Sequence, residues 1–220
     1  MSNNAYYAAN RRETFLKLKA QWQGFPVTPH FLRQDVALGA QNTFDFGFSL
    51  ESLNTQLPQR LLNRSDLFHI TRIGYFAVQE ITAKRGKGVL QTYANAQHFT
   101  GMTDVTDLNY LWNGSLSVKV DLTEEITAID TRNFFCIPQS QASATIASVQ
   151  NGLLAESDGE SGFYMPPVGI LLNGSKKNTV RVELPSPSTA AGYTTSTSGS
   201  VNYLVVKLEG FLITGANGRM

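Results

Sequence analysis

Hydrophobic residues in this chain recur mainly at every second position, the spacing of strands that bury one face. Phe44, Phe46, Phe48 and Leu50 alternate with Asp45, Gly47 and Ser49. Leu116, Val118, Val120 and Leu122 alternate with Ser117, Lys119 and Asp121 directly after Asn113-Gly114, a pair suited to tight turns. Val168, Ile170, Leu171 and Leu172 run into Asn173-Gly174, and Val180, Val182 and Leu184 then alternate with Arg181 and Glu183. Residues 168–184 therefore predict a β-hairpin. Phe68 to Ile81 is the longest β-like run, and its apolar phase shifts near Gly74, where a bulge would restore the facing. Val201 to Ile213 is so continuously apolar that it predicts a central strand, or one that bends at Gly210. Ile126 to Ile137 is a further strand, closed by Pro138, while Val89, Leu90 and Tyr93 begin the return from the turn at 84–88. Leu111 and Trp112 fit the end of a partner strand to Leu116–Leu122.

One stretch has helical spacing. Residues 10–23 place Phe15, Leu18 and Trp22 on one face, with Asn10 as the cap, Glu13 three residues later as in a capping box, and Gly24 and Pro26 as the stop. A helix this short is not stable alone, so its apolar face must dock on its own domain or on a neighbour. Phe25 to Ala40, with Pro26 and Pro29, is expected as an extended linker pairing at a sheet edge. Residues 53–64, 94–107 and 156–162 read as loops, as does the Ser/Thr/Gly-rich stretch Pro185 to Ser200, which is too polar for a core. Gln139 to Ala155 fits either a helix or a short strand. The chain thus divides into an arm and linker at 1–40, a β-sandwich at 41–214 and a tail at 215–220. About eight strands joined by long connections predict an all-β, jelly-roll-like antiparallel sandwich carrying a short N-terminal helical arm.

Composition adds that little of the surface is charged. Of 220 residues 42% are hydrophobic and only 16% charged, against roughly 25% in ordinary soluble domains. Such a surface suits one largely covered by neighbours, and equally a Thr, Ser, Asn and Gln-rich β protein that needs no partner. The net charge of +1 argues against a chain devoted to coating nucleic acid. The N-terminal segment nevertheless holds Arg11, Arg12, Lys17 and Lys19 against Glu13, which makes a basic arm on a near-neutral body. Cys136 is the only cysteine, so no intrachain disulfide forms, and its apolar neighbours Phe134, Phe135 and Ile137 mark it as a buried thiol. The first residues lack a signal-peptide pattern, and no apolar run reaches the ~18 residues of a membrane helix. Asn63-Arg-Ser65, Asn113-Gly-Ser115 and Asn173-Gly-Ser175 match a glycosylation triplet but read as turn chemistry.

Catalytic patterns are not visible. His30, His69 and His98 lack the paired spacing of a metal site. Gly159-Glu-Ser161-Gly162 lacks the spacing of a nucleophile elbow. Glu156, Asp158 and Glu160 form an acidic loop that reads as solvated rather than Ca²⁺-binding. No catalytic, cofactor or metal residue is therefore assigned, and the chain reads as a non-enzyme. Lys84, Arg85 and Lys87, interleaved with Gly86 and Gly88, read as a solvated basic turn that could also meet an acidic neighbour or a phosphate.

The arm Arg11 to Lys19, the strands near Phe44, Phe68, Leu116, Ile126, Val168, Val180 and Val201, and the loop Pro185 to Ser200 together resemble a viral, possibly phage, capsid subunit of the single jelly-roll kind. The resemblance is architectural. It implies a self-assembling structural protein of the virion, made in the host cytoplasm, with copies of itself and other virion proteins as partners, no membrane and no cofactor. Tyr6, Tyr7, Phe15, Leu18 and Trp22 are its candidate subunit contacts. Arg11, Arg12, Lys17, Lys19, Lys84, Arg85 and Lys87 are basic contact candidates. The arm carries too few cations for strong genome binding, which leaves a weak nucleic-acid contact or arm exchange between subunits. The alternative is a non-catalytic sandwich that binds carbohydrate or a host surface, with Tyr93, Tyr110, Trp112, Phe163 and Tyr164 as stacking platforms.

Overall fold

A computed structural model describes residues 3–49, 60–86, 88–95, 98–102, 105–137, 162–186 and 192–219. The acidic loop and the ambiguous stretch 139–155 lie outside them. Among the described residues helix α1 (Asn3–Gln21) precedes nine strands: β1 (Val27–Ala37), β2 (Thr43–Gly47), β3 (Leu67–Ile81), β4 (Ser115–Val120), β5 (Thr123–Asp130), β6 (Phe163–Tyr164), β7 (Ile170–Asn173), β8 (Asn178–Glu183) and β9 (Ser200–Ile213). They form two antiparallel sheets, one ordered β1-β9-β3-β6 with β7 also on β3, the other β2-β8-β4-β5. The chain is an all-β sandwich.

The pairings are nested. β1 pairs β9, β2 pairs β8, β3 pairs the broken strand β6 and β7, and β4 pairs β5. This is one long hairpin, its tip at Asp121-Leu122, rolled until β9 also meets β3 and β8 also meets β4. That wiring is a jelly roll. Asp121 adopts φ 59°, as a two-residue turn between paired Val120 and Thr123 requires.

The alternation read from sequence does the burying. Phe44, Phe46, Leu116, Val118, Val180 and Val182 face Leu32, Ile70, Ile73, Tyr75, Leu204, Val206 and Leu208 across one core. Each such side chain contributes about 1.5–3 kcal/mol. The ends are closed by Phe99, Trp112, Phe134 and Tyr193, all at most 1% exposed. Tyr193 comes from the loop read as too polar for a core. Its hydroxyl donates to the Pro185 carbonyl at 2.9 Å, so the polar stretch lends its one large ring to the interior.

Several expectations change. Residues 168–184 are not a hairpin, because β7 joins β3 in one sheet while β8 sits between β2 and β4 in the other. Asn173-Gly174 is a corner between sheets. The Asn178 side chain donates to the Asn173 carbonyl at 2.7 Å, and Gly174 lies so close to the 63–66 turn that a Cβ would stand 1.8 Å from the Asn63 oxygen. Placing β8 between two partners satisfies both of its edges, which pairing with β7 alone would not. The extended stretch expected at a sheet edge does lie there, but as the full strand β1, paired with β9 from Val27↔Ile213 to Ala37↔Tyr203; its edge position tolerates Pro29. The bulge lies between Ile70 and Arg72 rather than at Gly74, whose missing side chain instead admits the Phe163 ring. Among the described residues Val89–Tyr93 makes only the bridge Ala77↔Gln91, Leu111 and Trp112 end a 3-10 helix (Val105–Trp112), and β5 gives way to another at Thr131–Phe134. α1 begins at Asn3, which puts the expected cap Asn10 inside it. Cys136 is half-buried rather than buried. The expected tail packs, with Ala216 fully buried.

Beside the bulge, Gly210 crosses β3 so closely that a Cβ would stand 1.8 Å from the His69 carbonyl oxygen, whereas Gly39 has open space. Gly210→Ala is expected to cost about 3 kcal/mol, which lowers the melting temperature by roughly 6–12 °C. Gly39→Ala should leave it unchanged in the same calorimetric scan.

Candidate functional site

Among the described residues no pair of reactive side chains defines a centre, so the surfaces carry the question. The outer face of the β1-β9-β3 sheet is the most elaborate. At one end α1 docks: Leu18 is 6% exposed and, with Phe15, Trp22 and Phe25, covers Val27, Leu67, Phe211, Ile213 and Ala216. Phe15 meets Phe211 at 5.4 Å between ring centres, and the Arg11 guanidinium lies 5.8 Å from the Phe211 ring. The apolar spacing of the helix is therefore used within the subunit.

The middle of that face is a band of ions laid on aromatic rings. Arg72 and Lys207 both reach Glu209 at 2.6 Å. Arg72 also covers the Phe163 ring at 4.1 Å, and Lys207 and Arg60 each stand 5.0 Å from Phe31. Burial, the largest single influence, would raise the Glu209 carboxyl, but the hydrogen bonds and positive charges of Lys207 and Arg72 together hold the group below its usual range.

Beyond it, Arg85 reaches back from the turn after β3. It lies 3.7 Å over Tyr203, 3.4 Å from Asp35 and 3.2 Å from Glu80, and both carboxylates are wholly buried. Arg33 closes the group with a forked contact to Asp35 at 2.8 and 3.0 Å. The Arg85 to Glu80 approach is an ion pair without hydrogen-bond alignment, since Arg85 Nε and Glu80 Oε1 lack hydrogen-bond partners; Gly86 N–H donates to Glu80 Oε2 at 3.0 Å. Arg85 is thus an internal anchor of its turn rather than a solvated contact.

The other outer face, on β2-β8-β4-β5, is open and sparse. Arg181 forks onto Asp45 at 2.7 and 3.1 Å, which holds the Asp45 carboxyl below its usual range, and Lys119 meets Glu124 at 2.6 Å. Its edge hairpin β4–β5 exposes Asp121, Glu124, Glu125 and Asp130, with Leu122 at the tip 93% exposed.

The sequence-derived candidates separate accordingly. Phe15, Leu18 and Trp22 pack internally, Arg11 lies on Phe211, and Arg12, Lys17 and Lys19 remain exposed on α1, Lys17 paired with Glu13 at 2.6 Å. The side chains of Tyr6, Tyr7 and Lys84, and Lys87 altogether, lie outside the described residues. Of the stacking candidates, Trp112 is fully buried and Tyr93, Tyr110, Phe163 and Tyr164 are half-buried. Among the described residues no group of three or more His, Cys, Asp or Glu could hold a metal ion, and no helix is long and apolar enough to cross a membrane. Sequence reasoning missed Asp35 and Glu80; charged residues inside runs otherwise strand-like were the available signal.

His69, half-buried on β3, has an Nδ1 with no hydrogen-bond partner among the described residues. Burial holds its imidazole below 6.5, outweighing a backbone hydrogen bond. Below that value the unfolded chain takes up a proton that the fold resists, so this share of stability is full above 6.5 and declines as pH falls towards the folded value. Urea midpoints should therefore fall between about pH 7.5 and about pH 5, and less steeply in His69→Gln. Arg85→Ala leaves Glu80 buried without a cation and is expected to cost about 3 kcal/mol in urea unfolding. The exposed Arg12→Ala should stay within about 0.5 kcal/mol.

Comparison with protein-family models, with curated proteins and with solved structures finds no match.

Proposed function

We propose that this chain is a structural subunit that assembles with copies of itself into a closed shell, as single jelly-roll capsid proteins do. On this reading it resides in a virion beside other virion proteins, and nucleic acid is at most a weak contact of the exposed cations on α1. The observation that carries it is the use of the surface. Ions and rings on one face are spent within the subunit, and the aromatic residues suited to stacking a ligand are buried or half-buried. Among the described residues what stands exposed is a scattered set of large apolar side chains, Leu16 at 56%, Ile81 at 52%, Val89 at 63%, Leu122 at 93%, Ile137 at 60%, Met165 at 47% and Val168 at 72%. Anchors of this kind, set in a lightly charged polar surround, match the core-and-rim composition of protein interfaces. Removing residues 1–24 would uncover Val27, Leu67, Phe211 and Ile213, so the intact chain is the informative material.

Light scattering after size exclusion, with electron microscopy of the same fractions, tests this. Species many times the 24.2 kDa of one chain, of uniform shape, are expected. A monomer at every concentration would overturn the proposal.

A further inference from the structure

One flank of α1 is unlike its docked face. Arg12, Leu16 and Lys19 follow one another at the i, i+4, i+7 spacing of a helical stripe, and all three are exposed. Leu16 is 56% exposed between the two cations, and neither Arg12 nor Lys19 forms an ion pair with Glu13, the acid of this helix that Lys17 holds at 2.6 Å. The β4–β5 hairpin is the mirror of this pattern in charge. Leu122 is 93% exposed at its tip, with Glu124 and Glu125 two and three residues on, on a strand whose outer edge has no partner among the described residues. Lys119 offsets one of the acids, and Asp121 and Asp130 add two more exposed ones.

We infer that the Arg12–Leu16–Lys19 stripe of one copy docks on the acidic Leu122 hairpin of another. The inference rests on the self-assembly reading and names its surfaces. Charge complementarity selects the occupant: a basic stripe with an apolar centre meets an acidic strand with an apolar tip, and the same chain supplies both. α1 lies on the outer face of the β1-β9-β3 sheet while β5 is the far edge of the other sheet, so the two patches do not meet within one subunit. Contact between unlike patches passes from copy to copy, which is the interface type that closes into rings and shells. The acids on β5 also explain how an exposed strand edge avoids indiscriminate pairing, because charge on an edge repels a second identical edge. Raising salt screens such a contact, whereas the two leucines keep an apolar share that salt does not remove.

Charge reversal tests it through the concentration at which assemblies appear in light scattering. Arg12→Glu with Lys19→Glu sets acid against acid and is expected to raise that concentration at least tenfold. Glu124→Lys with Glu125→Lys sets base against base and should do the same. All four residues are exposed and the Lys119–Glu124 pair lost in the second variant is a surface one, so each variant should melt within a few degrees of the wild type. An equimolar mixture of the two variants restores complementary contacts in both directions, as does the fourfold variant, and both should assemble near the wild-type threshold. Leu122→Asn, with every charge in place, is expected to raise the threshold and leave its salt dependence intact. Folded variants that assemble like wild type, or that stay apart when mixed, would overturn this contact while leaving self-assembly standing. A wild-type chain that is monomeric at every concentration would overturn both.

Discussion

The pairing of β9 with both β1 and β3 is the constraint on which the rest of the sandwich depends. β9 is apolar on both faces over most of its length, with Leu204, Val206 and Leu208 in the main core and Val205, Phe211 and Ile213 on the outer side. A strand of this kind cannot sit at an edge or leave one face to water. It therefore needs a second layer outside as well as inside. The inner layer is the opposite sheet; the outer one is assembled from α1 at one end and the Phe76, Val78 and Val205 cluster at the other. Between the two apolar ends the face turns ionic, and Arg72, Lys207 and Glu209 are laid on Phe31 and Phe163. The helix follows from β9 as much as from its own amphipathic spacing.

The same constraint explains the glycine at the bulge. β3 and β9 pair over almost their whole length, and the register shift after Ile70 lets β3 keep its apolar side inward past His69 and Thr71. Thr71 spends its hydroxyl on the Glu209 carbonyl at 3.0 Å, and Gly210 supplies the room for the strands to close. Two-sheet packing, the bulge and the docked helix are one solution to burying both sides of a central strand.

Much of this was legible in the chain, and the failures have physical causes. Phe44, Phe46 and Phe48, and Leu116, Val118 and Val120, announce half-buried strands by alternation, and the unbroken apolar run of β9 announces a central one. The helical face of Phe15, Leu18 and Trp22 was readable too, but not which surface it would meet. Asn173-Gly174 between two apolar runs looks the same whether the strands pair with each other or pass to different sheets; only the availability of β2 and β4 on either side of β8 decides. Pro26 and Pro29 marked 25–40 as extended chain at a sheet edge, but nothing local showed that Val27–Ala37 would pair with β9 along its whole length. Arg85 resembled a solvated turn because Asp35 lies 50 residues away in sequence and only the β1-β9-β3 pairing brings it near. Long-range ion pairs leave no local periodicity to read.

That ion network bears on how the surface can act. With only 16% of residues charged, a chain has few charges to distribute. Here Arg33, Arg72 and Arg85 with Asp35, Glu80 and Glu209 are drawn into contacts where the side chains are at most 16% exposed. Buried ion pairs do little for stability by themselves, but they fix geometry, since each carboxylate accepts only a cation in the right place. The charges left outside are consequently few, and those on α1 are mostly basic while those on the β4–β5 hairpin are mostly acidic. A surface of this kind gives weak long-range steering and orientation, with the strength of any contact left to exposed leucines. Such contacts are individually weak and readily reversed, which the self-assembly we propose would require while subunits are still finding their places.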